Sequence, residues 1–348
     1  MKALHFTWPL LAMVIAVSGC ATADFEHYQQ SITAFKTATD QTSQAVSTQI
    51  LGIRDWDRER MLEQLRPAAD PCELRWVELR KIPDRDYTLN DCAFLAAEIV
   101  REGRFSREAI AVRRQVFVVL NDYTSMLSAV ATSDAPARWD AAAKGLGGSV
   151  ASLAKTVGDV QVGDKSRGLS DQLGPLQNLF GEDGPLTQLI SFAGQEWINY
   201  RRTQALDEII QKGKPEIDTI SQLLREDFKF IRQRDLFLAD SELFEPISAY
   251  ADAVAAAAAD PGKVPARNAA LESMRRAIET HETATGQIGS IGAAMDGFDD
   301  AHAALVAYAA SPKEPQDLAE LDVVIRRYAR AAQAAFDAFQ IVAPSGPE

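Results

Sequence analysis

Three stretches of this chain place apolar or small residues at alternating steps of three and four, and that spacing commits most of its length to α-helices. The first runs Phe25, Tyr28, Ile32, Phe35, Thr39, Thr42, Val46, Gln49, Ile53 and Trp56. The second runs Phe105, Ala109, Val112, Val116, Val119, Tyr123, Leu127 and Val130. The third is a heptad series: Leu271, Met274, Ile278, His281, Thr285, Ile288, Gly292, Met295, Asp299, His302 and Leu305, flanked by Ile291 and Phe298. A half-buried strand would alternate at every second residue, and only the region around Leu74–Ile82 carries a trace of that pattern.

Proline and glycine set the expected limits of the helices. Pro67 predicts the end of the first helix, and the second is expected from near Thr88 to the Asp134–Pro136 break, with Gly103 as a soft spot. Each would be roughly 65 Å long at 1.5 Å per residue, so an antiparallel pair joined by residues 67–87 is the economical arrangement. A further helix over residues 137–162 is weakened by Gly145, Gly147, Gly148 and Gly158. Gly174-Pro175 and Gly184-Pro185 mark an internal boundary near 165–185. Beyond it a helix is expected from about Leu186 to Ile231 with Pro215 as a kink or break. Ser241–Ala259 forms another helix ended by Asp260-Pro261-Gly262, and a last one spans about Gln316 to Ile341. The chain is therefore expected to be all-α. Its form is an elongated antiparallel bundle of long amphipathic helices over residues 24–342, with a disordered tail at 343–348. Many seam positions are Ala, Gly or Thr, so a thin core without a single globular centre is expected.

Charge narrows the partners. Against 36 Lys and Arg the 348-residue chain carries 49 Asp and Glu, a formal net charge of −13, and this excludes a protein that grips nucleic acid through a basic face. No GxSxG or HExxH is present, so no catalytic residue is assigned and no enzymatic activity is expected. GLGGS at 145–149 is not GxGxxG and follows no strand, which argues against a nucleotide cradle. His281 and His302 share a heptad position but lie roughly 32 Å apart along a straight helix. They cannot share a metal and are expected to be seam histidines hydrogen-bonded to neighbours. Asp24/His27 and Asp299/His302 are similar to the acid-x-x-His element of di-iron bundles, but that family has Glu where this chain has Asp. No metal and no cofactor are expected. Gly286, Gly289, Gly292 and Gly297 are expected to mark a close helix crossing or a kink.

Residues 1–20 read MKALHFTWPLLAMVIAVSGC: Lys2, an apolar run from Leu10 to Val17 too short to span a bilayer, and then Ser18, Gly19 and Cys20. This resembles the lipobox of bacterial lipoproteins, in which the cysteine after small residues is lipidated and becomes residue one. The resemblance implies a signal peptide over 1–19 and a lipidated N-terminus over 20–23. With Ala21 rather than Asp after Cys20, it also implies sorting to the outer membrane. Two cysteines remain, Cys72 and Cys92. In an oxidising periplasm they are expected to pair, the alternative being two buried free thiols.

Between them stand Arg75, Trp76, Arg80, Lys81, Arg85 and Tyr87; the first five are the expected contacts with a partner, with Trp76 and the arginines as anchors because those residue types dominate binding hot spots, the alternative being that Trp76 caps the bundle core and the charges are solvated. The functional expectation is a periplasmic lipoprotein held in the outer membrane by its lipid anchor, serving as a structural or protein-interaction module for an unidentified envelope protein. The alternatives are a membrane-active, pore-forming-like helical protein and a metal-dependent helical-bundle enzyme.

Overall fold

A computed structural model describes the backbone of residues 8–66, 69–74, 88–102, 107–132, 136–159 and 202–340, and the chain is all-α, with no strand among the described residues. The helices are α1 (Trp8–Leu65), α2 (Leu89–Glu102), α3 (Arg107–Thr132), α4 (Pro136–Asp159), α5 (Arg202–Ala259), α6 (Val264–Ala310) and α7 (Pro315–Gln340). Single 3-10 turns occupy Pro71–Glu73 and Pro261–Lys263. The expected boundary at 165–185, the start of the helix expected from Leu186 and the tail at 343–348 lie outside the described residues.

Cross-helix contacts fix the directions. Tyr28 donates to Asp207 (3.3 Å) and, further along both helices, Gln49 donates to Asp235 (2.9 Å), so α1 and α5 run parallel. Gln29 near the start of the packed part of α1 donates to the Ala131 carbonyl at the end of α3, which sets these two antiparallel. Asp299 meets Ser221 and Arg225, whereas His281 meets Asp240, so α6 returns along α5. Lys313 before α7 reaches Asp207, and Tyr328 within it lies against Thr39 and Thr42, so α7 is parallel to α1.

Most of the predicted stripes are buried. Tyr28, Ile32, Phe35, Thr39, Thr42, Val46 and Gln49 of α1 and Val112, Val116, Val119, Tyr123, Leu127 and Val130 of α3 are all inside. Instead of a thin core without a centre, one contiguous apolar cluster runs through α1, α3, α4, α5, α6 and α7. The turn between α6 and α7 holds Lys313 at φ 67, a conformation an L-residue rarely adopts. There the Lys313 N–H donates to Ser311 Oγ (3.1 Å), while its ammonium sits 4.2 Å from the Tyr308 ring centroid and 3.1 Å from Asp207.

Three expectations need correction. Helix α5 continues unbroken through both Pro215 and Pro246, so Ser241–Ala259 belongs to it and is not a separate helix. Proline removes one backbone donor, but α6 packs along the length of α5 and tertiary packing outweighs the local penalty. The single helix expected over 88–132 is two, α2 and α3, on either side of residues 103–106, which lie outside the described residues. In the first half of the α6 heptad Met274 and His281 are half-buried as expected, but Leu271 and Ile278 are not in the seam. There Ala270, Met274, Ala277, His281 and Ala284 are half-buried facing α5, while Leu271 and Ile278 stand exposed on its flank. Alanines let the two backbones approach closely, and the larger side chains are displaced outward. Asp299, expected in the seam, is half-buried and paired with Arg225.

The four glycines of α6 divide along the same line. A Cβ on Gly297 would sit 3.0 Å from Tyr328 Cδ2 and 3.3 Å from its Cα, a close crossing of α6 over α7, whereas at Gly286 and Gly289 it would meet nothing within 4 Å. Tyr328 cannot give way, because its hydroxyl is held by Thr39 (3.3 Å) and Thr42 (3.2 Å). Gly297→Ala is expected to destabilise the fold by about 1–2 kcal/mol net, and Gly286→Ala and Gly289→Ala to stabilise it by up to about 1 kcal/mol each. Urea unfolding midpoints distinguish these signs.

Candidate interaction site

The bundle has two unlike ends. At one, Phe25, Tyr28 and Tyr308 pack together near the α6–α7 turn, and Cys20 lies little more than one helical turn before Phe25 on α1. At the other, α1 runs on to Leu65, where it meets α2 and the disulfide. From Cys20 to Leu65 is roughly 68 Å along the axis.

The far end is built locally. Asp70 Oδ1 accepts the Cys72 N–H (2.8 Å) to form the 3-10 turn, and Thr88 caps α2 by accepting the Asp91 N–H (3.2 Å) while Asp91 accepts the Thr88 N–H (3.0 Å). These two devices bring Cys72 and Cys92 together with Cα atoms 5.1 Å apart and an S–S distance of 1.98 Å, so the expected pairing is present. Met61, Cys92 and Ala96 form a small core of their own, with Leu65, Cys72, Leu74 and Leu95 against it. Leu62, Leu89 and Phe94 point outward, Phe94 with 79% of its surface exposed. Arg75, Trp76, Arg80, Lys81, Arg85 and Tyr87 lie outside the described residues. What the structure fixes is the two ends of their segment, at Leu74 and Thr88.

Chemistry-bearing side chains in the main bundle are closed off. Arg113 and Asp227 form a bidentate pair, Nε to Oδ2 and Nη2 to Oδ1 both at 2.7 Å, with side chains 1% and 4% exposed. Sequence reasoning missed it, although a signal was there. Arg113 interrupts the buried series Ile110, Phe117, Leu120, and Asp227 interrupts Ile220, Leu224, Ile231. Opposite charges that each break an apolar stripe are candidates for one another.

Both histidines are hydrogen-bonded, as expected. His281 Nε2 lies 2.9 Å from Asp240 Oδ1 in an exposed setting. His302 is buried, with Nε2 3.3 Å from the Tyr123 hydroxyl, Nδ1 3.6 Å from Asp218 and its ring stacked on Phe298. Burial pushes its pKa down to about 4, the Asp218 carboxylate opposing only in part. Nearby Glu216 is buried with Oε2 unpartnered, and desolvation raises its pKa. A groove of about 720 Å³ lies elsewhere, between α1, the end of α3 and α7. Gln29, Thr33, Thr37, Gln41 and Gln333 on its walls already bond to protein groups.

Among the described residues no group of three or more His, Cys, Asp or Glu could hold a metal, and no helix is long and apolar enough to cross a membrane. No family model, curated protein or solved structure matches the chain.

Proposed function

We propose that this chain is an outer-membrane lipoprotein whose periplasmic bundle is a structural or interaction module of the cell envelope and carries no catalysis. The observation that supports it is the Val17-Ser18-Gly19-Cys20 junction at the close of an apolar run, followed almost at once by the packed part of α1. A multiply acylated Cys20 would hold the protein to the membrane without a second membrane element. Because so little chain separates Cys20 from the core, the anchor and the bundle would move as one. α1 then carries the disulfide-tied segment away from the membrane surface. There Trp76 and its arginines are assigned to partner contact, on a loop whose bridge lowers the entropy lost on binding.

Cys20→Ser tests the anchor. The variant is expected to accumulate unprocessed or to leave the membrane fraction, and to lose envelope crosslinks captured by the lipidated protein. Unchanged fractionation with membranes would sink the lipoprotein reading.

A further inference from the structure

Past Asp235 and Gln287, helices α5 and α6 pair with each other as a hairpin. Among the described residues, the last hydrogen bonds between these two helices and α1 or α7 are Gln49 with Asp235 and Gln287 with the Ala338 carbonyl. Between residues 236 and 287 only Ala239 is buried among the described residues. Within the hairpin α5 turns Leu236, Ala239, Leu243, Pro246, Tyr250 and Ala253 toward α6.

A second stripe lies one residue along: Phe237, Asp240, Phe244, Ile247, Ala251, Val254 and Ala258, all exposed, Phe237 at 69% and Phe244 at 73%. At 100° per residue, Leu271 and Ile278 of α6 fall on the same side of the hairpin, together with the exposed Arg275 and Glu282. Followed back over the bundle, this stripe of α5 reads Gln222, Glu226, Lys229 and Gln233, also exposed. On α5 this outward flank is thus polar where it covers the core and, Asp240 apart, apolar along the hairpin. Solvation alone does not call for that change.

We infer that this hairpin face docks on the same face of a second copy of the chain. A bare two-helix hairpin lacks a core, and a second hairpin completes a four-helix layer. The stripe is also self-complementary in size. Turned end for end about a two-fold axis beside Ile247, Phe237 and Phe244 of one copy meet Ala258 and Ala251 of the other. Asp240, the stripe's one charge, is already held by His281 (2.9 Å). A face roughly 32 Å long and 20 Å wide, two helices across, offers roughly 600 Å² per copy, near the lower limit of standard interfaces. The dimer is therefore concentration-dependent. The inference rests on the hairpin alone and not on the lipid anchor.

Sedimentation of the full-length chain in mild detergent, over roughly 1–100 µM, tests it. The chain is expected to approach twice its monomer mass, and Phe244→Glu with Ile247→Glu to hold it at the monomer mass with its helical circular dichroism unchanged. Gln222→Glu with Gln233→Glu, on the same flank over the bundle, should leave the dimer intact. In a Cys20→Ser background, Ile247→Cys should crosslink two copies on oxidation, since it stands beside the axis. A wild-type chain that stays monomeric, whether alone or on adding lipid vesicles that it then binds, overturns the inference. So does a dimer that survives the double glutamate variant, or one that Ile247→Cys does not crosslink.

Discussion

Asp227→Ala is expected to lower the free energy of unfolding by about 3–5 kcal/mol, because it leaves the Arg113 guanidinium charged inside the core. Arg113 is the largest fully buried side chain described, and its two 2.7 Å bonds to Asp227 join α3 to α5. The cost comes from stranding a charge rather than from the worth of the pair. Arg113→Met with Asp227→Leu is therefore expected to recover most of the loss and could exceed the parent, since replacing a buried pair with apolar residues is often neutral or stabilising by about 1–4 kcal/mol. Urea titration of the three proteins gives the comparison. If Asp227→Ala costs under about 1 kcal/mol, water reaches Arg113 and the pair is not closed off as described.

Acid is the second sensitivity. His302 is neutral in the fold because burial holds its pKa down to about 4, while the unfolded chain titrates near the ordinary value of 6.5. Between those values the unfolded state binds the extra proton, so this group's contribution is fully favourable above about pH 6.5 and is lost as the pH falls toward 4. The total is about 3 kcal/mol. Glu216 and Asp207 act in the opposite sense, since burial raises their pKa and the fold takes up their protons more readily than the unfolded chain does. The comparison is accordingly a difference. His302→Gln should flatten the fall in stability between pH 6.5 and 4 relative to the parent, measured by denaturant unfolding at each pH. Equal slopes in the two proteins would mean that His302 already carries its proton in the fold.

Periodicity made the long helices legible, since a stripe such as Tyr28, Ile32, Phe35, Thr39 can be buried on only one kind of element. It did not fix register where two neighbouring stripes compete. At Leu271 and Ile278 hydrophobicity favoured the larger side chains, and the backbones chose Ala270 and Ala277 because close approach gains more contact. Pro215, read as a kink or break, does not end α5 for a related reason: its local cost is fixed, while the packing that outweighs it is spread over the length of α6. The disulfide followed from the parity of cysteines left after Cys20. The buried Arg113–Asp227 pair did not follow, because its members stand far apart in sequence and only the bundle topology sets them side by side.

Helices α5 and α6 pass from the core into the hairpin with no loop between the two regimes. Mechanically the hairpin is a cantilever whose root is the packed bundle. A load applied near Gly262 meets no loop on its way to the core and is carried along two continuous helices, with Pro246 the one place in the hairpin where α5 lacks a backbone donor. Bending stiffness, rather than any motion of a joint, then governs how far the hairpin tip can stray from the bundle axis.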